Sequence, residues 1–476
     1  MAAARVLPRE FFADAFPRVL AGLGAVASAR DASSLRAACG EISTNPCFHH
    51  SRGGLPDFDP VLDGVPESQR FFSTTLPAMV DLVRQAPRLF AEAPVPYLSP
   101  AAQESRCDLS RAQVSCLLAM AFFGLVPSQP DKDNQPQTAA VDFGALLFPK
   151  AGLEMPPYTQ KLRCFLHYFH TVACQLQALE SAADEPVTCM RWSSPAPDGD
   201  WLANSDVRMC PLSVQPLKTS ISDNSSCLLH ADFANASVGG GVLGVGTMQE
   251  EITFATHPEL CVAKLVCAPL GDGEACVIGG CRRFCSSTGY SDSFHFQEGV
   301  AASAGEEPAQ LLQRQPAIQV AIDARMYPSD CDRPFCHDHA HQVEDASRDL
   351  LKARCGFQAA LSLSLANTTH PNTALATGNW GSGAYGGSAA VKLFIQWVAA
   401  SHAGLGRIEY HPWDDEALHD HLSDAAVMGR YHSATISQVW SAVKGAVARQ
   451  KDMPHPHRFQ DDGREFLSAV NELLSP

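Results

Sequence analysis

The sequence predicts an α/β domain preceded by a mostly helical region. Three observations predict it. Before residue 195, long stretches carry apolar residues at helical spacing. After residue 200, short β-rich runs alternate with helical ones, the pattern of a sheet covered by helices. Two glycine-rich stretches, at 230–251 and 376–387, punctuate that second half, and the later one runs straight into a long helical pattern.

Composition narrows the class. At 476 residues the chain is long enough for two or three domains, and 46% hydrophobic with 18% charged residues fits a globular protein. A net charge of −16 argues against general binding of duplex nucleic acid, whose readers are basic. An acidic chain can still hold one anionic group through backbone N–H donors, and it then depends on fit more than on long-range attraction. The 17 cysteines are scattered, which fits buried, reduced thiols in the nucleus or the cytoplasm. The longest apolar stretch, Val114 to Val126, is too short to cross a membrane. The N-terminus has the alanines and arginines of a transit peptide, but Glu10 and Asp14 speak against that reading.

In chain order, residues 1–105 read as an N-terminal accessory or irregular region, with helix in QRFFSTTLPAMVDLVRQAPRLFAEA. Residues 106–195 read as a helical accessory domain. Its first helix covers Leu109 to Phe123, with Ser110 as cap and Val114, Leu117, Leu118, Ala121 and Phe122 on a buried face. Its second covers Gln160 to Leu179, separated from the first by the polar linker 128–138. PAPDGD, Pro195 to Asp200, marks the boundary to an α/β domain over 196–425. Within it ITFATHPELCVAKLV reads as a helix, CVIGG and AIQVAIDA as buried strands, DLLKARCGFQAAL as a helix, SAAVKLFIQWVAASHAG as a long amphipathic helix and GRIEYH as a last strand. Residues 426–476 read as a C-terminal helical tail.

The chemistry concentrates in HADFANASVGGGVLGVGTMQEE, 230–251. Glycines let a backbone approach a ligand, and successive bare N–H groups suit a phosphate. Two adjacent carboxylates beyond the loop, Glu250 and Glu251, offer acid–base work beside a bound anion. Gly239, Gly241 and Gly244 also satisfy G-x-G-x-x-G, but that fingerprint wants a strand before it, and polar ADFANAS stands there. A glycine-rich hairpin with two solvated glutamates stays open at this level. The segment CDRPFCHDHAHQ, 331–342, holds cysteines and histidines at no standard zinc spacing, so no metal site is expected.

GGG, seven residues, then QEE, preceded by DFAN, resembles the signature of the poly(ADP-ribose) glycohydrolases. ATGNWGSGAYGG, 376–387, is similar to the family's other glycine loop, and STGY, 287–290, to its tyrosine segment. The resemblance runs from about Leu109 to about His421. It implies a macrodomain-like mixed sheet sandwiched by helices, preceded by the helical accessory domain. It implies hydrolysis of ribose–ribose O-glycosidic bonds in poly(ADP-ribose), on polymer chains or ADP-ribosylated proteins, with no cofactor, metal or membrane. The alternative within the fold is a non-catalytic reader of ADP-ribose, for which the intact QEE would have no use.

By motif position the resemblance makes Glu251 the general acid and then base, Glu250 a partner of the ribose hydroxyls, and Asp232 a supporting group in the catalytic site. Asn235 and Gln249 would bind ribose or hold the loop, and Gly240 and Gly241 would approach the diphosphate, so that a side chain at Gly240 should damage binding. Tyr290 would face the adenosine. Asn379, Trp380, Gly381, Ser382, Gly383 and Ala384 would cradle the diphosphate with N–H groups, and Tyr385 would stack near the distal ribose. The adenine position falls on Ile221 and Ser222. There the family carries Ile-Glu, so that either Asp223 substitutes for the missing carboxylate or adenine recognition is reshaped.

Overall fold

A computed structural model describes residues 6–7, 11–43, 61–91, 95–99, 103–126, 141, 143–147, 156–179, 185–195, 200–299, 316–327, 339–367, 373–450 and 463–474. The linker 128–138, the side chains of the 331–342 segment and His455 to His457 lie outside the described residues.

The strands are β1 (Glu104–Leu109), β2 (Val187–Ser193), β3 (Leu212–Val214), β4 (Leu229–Ala234), β5 (Glu274–Gly279), β6 (Ser286–Thr288), β7 (His295–Gln297), β8 (Ile318–Asp323), β9 (Ala374–Gly378) and β10 (Arg407–His411). Eight form one mixed sheet in the order β1-β2-β5-β8-β4-β9-β10-β3, and β6 and β7 form a separate hairpin. From β8 to β3 neighbours run parallel, while β1, β2, β5 and β8 pair antiparallel.

Side-chain alternation divides the interior in two. On β5, Cys276 and Ile278 join a core shared with the N-terminal helices, while Ala275 and Val277 join a core shared with helices His339–Asn367 and Ala389–Ala403. Because both faces of β5 and β8 are covered, CVIG and IQVAID are buried at every position and do not alternate apolar with exposed polar residues.

Several helices match their expected positions. Arg111–Phe122 starts at Ser110, whose hydroxyl accepts from the Gln113 N–H in a capping box. It is buried nearly all round rather than on one face, because it is packed between helices Leu76–Arg84 and Pro156–Leu179. Ala389–Ala403 likewise has no exposed face along most of its length, and its polar Lys392 and Gln396 are buried too. Every residue from Ala390 to Ser401 is buried, since helices Ile436–Gln450 and Arg464–Leu473 cover the side turned away from the sheet. These last two helices share the core of the sheet instead of standing off as a tail.

Other elements differ from the reading. ITFATHPELCVAKLV is not one helix: Gln249–Thr256 and Val262–Val266 are separated by a 3-10 turn at Pro258–Cys261. Pro258 lacks an N–H and pushes His257 out of the helical region, to φ −122° and ψ 68°. The N-terminal stretch holds two further helices, Phe16–Ala27 and Ala32–Ile42, the latter capped by Asp31. Strands β1 and β2, in stretches where no strand was expected, extend the sheet at its antiparallel edge. The described cysteines are all buried free thiols, and among the described residues no helix is long and apolar enough to cross a membrane.

Candidate active site

A cleft of about 660 Å³ opens where β4, β8, β9 and β10 end, lined by Asn235, Ala324, Asn379 and Trp413 just past each strand. In open α/β sheets this carboxyl end is where ligands bind. The cleft also brings together Ile221, Ser222, Gln249, Glu250, Glu251, Tyr290 and the run from Trp380 to Tyr385. Asp232, Gly240 and Gly241 lie behind its wall rather than in it.

The strand β4 stands directly before the glycines, where the polar look of ADFANAS gave no strand. The loop leaves β4 and returns as helix Gln249–Thr256, whose first turn carries both glutamates. Glu250 accepts from the N–H groups of Gly239 (2.5 Å) and Asn235 (2.9 Å). Glu251 accepts from Gly241 (2.9 Å) and from Met248 at the start of its own helix (2.9 Å). The N–H groups of Gly239 and Gly241 are therefore spent on carboxylates, and that of Gly240 on the Ser237 carbonyl (3.0 Å). Neither Gly240 nor Gly241 is among the residues that line the cleft. Gln249 is committed too: its Oε1 accepts from the Phe233 N–H (2.8 Å) and its Nε2 donates to the Ala231 carbonyl (3.2 Å), which ties the helix to β4.

Burial dominates the electrostatics. It pushes the Glu250 carboxyl well above its usual range, with the charges of Asp232 and Glu251 adding to the shift and two N–H donors opposing it. Asp232 is wholly buried, and neither of its oxygens meets a donor among the described residues. Burial, and then the Glu251 charge, push it up to about 8. The unfolded chain would release this proton near 3.8, while the folded protein keeps it to about pH 8. The stability this proton contributes is complete below the unfolded value and is lost as pH rises toward 8, by up to about 1.4 kcal/mol per pH unit. Asp232→Asn is expected to flatten that fall, as measured by denaturant unfolding between pH 5 and pH 8.

The second glycine loop is built differently. Among the described residues the N–H groups of Gly381, Gly383, Ala384 and Tyr385 donate to no protein acceptor. Trp380 contributes backbone only, because its ring is fully buried and its Nε1 donates to the Ile322 carbonyl (2.9 Å). Asn379 is held by Tyr410 (2.8 Å) and by the Pro412 carbonyl (2.9 Å). The Ser382 hydroxyl turns back on Trp380 (3.3 Å). Tyr385 joins the two loops, its hydroxyl accepting from Asn235 Nδ2 (3.1 Å).

The far end of the cleft holds Ile221 and Ser222. The Ser222 hydroxyl lies 3.4 Å from that of Thr253. Asp223 is paired to Arg283 at 2.6 Å, so it does not stand free in place of a missing glutamate. Tyr290 neighbours Trp413, with ring centroids 6.1 Å apart, and both rings are partly exposed. Trp413, held at φ 59°, escaped the sequence reading, although its position just past the GRIEYH strand is where the strand-end rule points. Arg283 and two lysines behind the first loop were also missed. A lone cation remote in sequence gives no signal of its own.

Two family models match the chain. The poly(ADP-ribose) glycohydrolase helical domain covers residues 65–191, and the macro domain fold of the same glycohydrolases covers 200–420. Poly(ADP-ribose) glycohydrolase 1 of Arabidopsis thaliana is 27% identical over 449 residues, spanning 81% of this chain and 79% of its own length. The probable poly(ADP-ribose) glycohydrolase 2 of that plant is 24% identical over 79% of this chain and 78% of its own. Poly(ADP-ribose) glycohydrolase 1 of Caenorhabditis elegans is 32% identical over a shorter stretch, 38% of this chain and 23% of its own.

Proposed function

Because the chain belongs to the poly(ADP-ribose) glycohydrolase family, we propose that it hydrolyses the ribose–ribose O-glycosidic bonds of poly(ADP-ribose) and releases ADP-ribose. The observation that carries this reading is the juxtaposition of two buried, N–H-held glutamates with a loop whose own N–H groups are free. One half can work on a bond while the other holds an anion.

In this reading Gly381, Gly383, Ala384 and Tyr385 take the diphosphate on their N–H groups, and the Tyr290–Trp413 wall takes the base. Glu251 gives a proton to the departing ribose oxygen as the C–O bond breaks. It then accepts a proton from the water that attacks the oxocarbenium-like carbon. Asp232 and Glu250 are both pushed toward their protonated forms by burial, so Glu251 works beside carboxyls that are biased toward neutrality. Glu250 hydrogen-bonds the ribose hydroxyls. Nuclear or cytoplasmic localisation accompanies this reading, and buried thiols suit either compartment.

Purified poly(ADP-ribose) incubated with the protein is expected to yield free ADP-ribose, detected chromatographically. ADP-ribose binding without release would make the protein a reader, and neither binding nor release would end this reading. The cradle has its own test. Gly381 sits at φ 68°, and a Cβ there would lie 2.5 Å from the Ala324 Cβ. Gly381→Ala is expected to weaken ADP-ribose binding by about 10-fold, the equivalent of the 1–2 kcal/mol cost of a left-handed alanine. Calorimetric titration checks it.

A further inference from the structure

The first glycine loop has a back as well as a front, and two buried lysines occupy the back. Lys264, in the short helix Val262–Val266, donates to the Gly240 carbonyl (2.8 Å) and reaches that of Val238 (3.5 Å). Lys161, in the helix Pro156–Leu179, donates to the carbonyls of Gly244 (2.5 Å) and Gly246 (2.5 Å) and reaches that of Gly241 (3.4 Å). Neither lysine lines the cleft.

The peptide planes show what this arrangement does. The Gly240 carbonyl and the Gly241 N–H belong to one peptide unit, which has Lys264 at its oxygen and Glu251 at its nitrogen. The unit between Val238 and Gly239 repeats the pattern with Lys264 and Glu250. Each unit is thus held at its oxygen by an ammonium and at its nitrogen by a glutamate carboxyl oxygen. Lys161 fixes the rest of the loop with an ammonium whose three N–H donors match three carbonyls. The stem of Lys264 also explains Gly239, where a Cβ would lie 2.8 Å from Lys264 Cγ. Desolvating two ammonium groups is costly, and an apolar support would avoid that cost. Burial pushes Lys161 down to about 8 and lowers Lys264 as well, while the Glu251 charge opposes the shift in both.

We propose that Lys264 and Lys161 are positioning residues for the glycosidic step, acting through the loop peptides on Glu250 and Glu251. The proposal rests on the glycohydrolase reading above. It places one of the two in the helical region, so part of the catalytic geometry comes from outside the sheet.

The test uses the full chain as wild type, Lys264→Met and Lys161→Met, with methionine keeping most of the stem volume. Turnover of poly(ADP-ribose) is measured beside ADP-ribose affinity and stoichiometry. In both variants kcat is expected to fall by about 10–100-fold, the usual cost of losing an outer-shell partner. KM and ADP-ribose affinity should stay close to wild type, because the second loop and the aromatic wall are untouched. Amide hydrogen exchange at Gly239 and Gly241 is expected to accelerate in Lys264→Met. Unchanged kcat per ADP-ribose-binding site would overturn the proposal. Loss of binding together with turnover in both variants would also overturn it, by making the lysines supports of the fold alone. Should the wild type release no ADP-ribose, the glycohydrolase reading fails first. The exchange measurement would then still judge the clamp, which unaltered rates at both glycines would overturn.

Discussion

Glu251→Gln is expected to bind ADP-ribose like the wild type and to lose about 10²–10⁴-fold of polymer turnover, the range that removal of a general acid–base group costs. Glutamine keeps the volume but cannot exchange a proton with the ribose oxygen or with water. Binding should survive, because the hydrogen bonds of Glu251 go to Gly241 and Met248 and leave the free N–H groups of the second loop and the Tyr290–Trp413 pair in place. A smaller effect accompanies the large one. Glu251 accepts an N–H at each oxygen, and an amide nitrogen at either place would confront a donor. One hydrogen bond is lost, which should lower stability by about 1–3 kcal/mol. Thermal unfolding measures that loss separately, so it cannot be mistaken for the kinetic one. If turnover stays within tenfold of wild type, the acid–base role passes to Glu250.

The second large effect is expected from Gly240→Ala. A single Cβ there would lie 2.4 Å from Glu251 Oε1 and 2.6 Å from Glu250 Oε2, at a backbone φ of 41°. The carboxylates cannot step aside without leaving the N–H groups of Asn235, Gly239, Gly241 and Met248. Displacement by about 1 Å can cost a reaction on the order of 10²-fold, so turnover should fall by about that much with ADP-ribose affinity retained. Sequence reasoning expected the reverse, a binding defect, because it placed the diphosphate on this loop. Parallel measurements of kcat and affinity decide between the two. A loss confined to affinity would return the diphosphate to the first loop.

The first loop shows where the sequence stops being readable. Gly239 to Gly241 announce bare N–H groups, but which acceptor each one meets depends on backbone angles that no residue type specifies. The strands CVIGG and AIQVAIDA were readable because both of their faces are buried and β-branched residues dominate them, with Gln319 the single polar residue inside the second before its terminal Asp323. Ser110 was readable because its cap is local, three residues wide. β1 was not: ESRCDL is an edge strand with charged residues on its outer positions, and it looks like a loop. The break at Pro258 was available in principle, since proline and the residue before it both resist helix. Lys161 was unreadable for another reason. It meets its carbonyl partners about 80 residues away, and one lysine on a helix looks like any other.

The placement of β1 and β2 has a consequence for how the chain can be divided. The macro-fold family model begins at residue 200, but the sheet begins at Glu104. A fragment cut at that boundary would retain β5 and remove β2, which pairs with it from Thr188 to Ser193. The bared margin of β5 would be an apolar strand with a row of unanswered N–H and carbonyl groups, open to pairing with another copy of itself. In the intact chain β2 closes that margin, and β1 then meets solvent with glutamate, arginine and aspartate in alternation. The upstream segment thus works as a guard against self-association, and its removal would be felt first as insolubility.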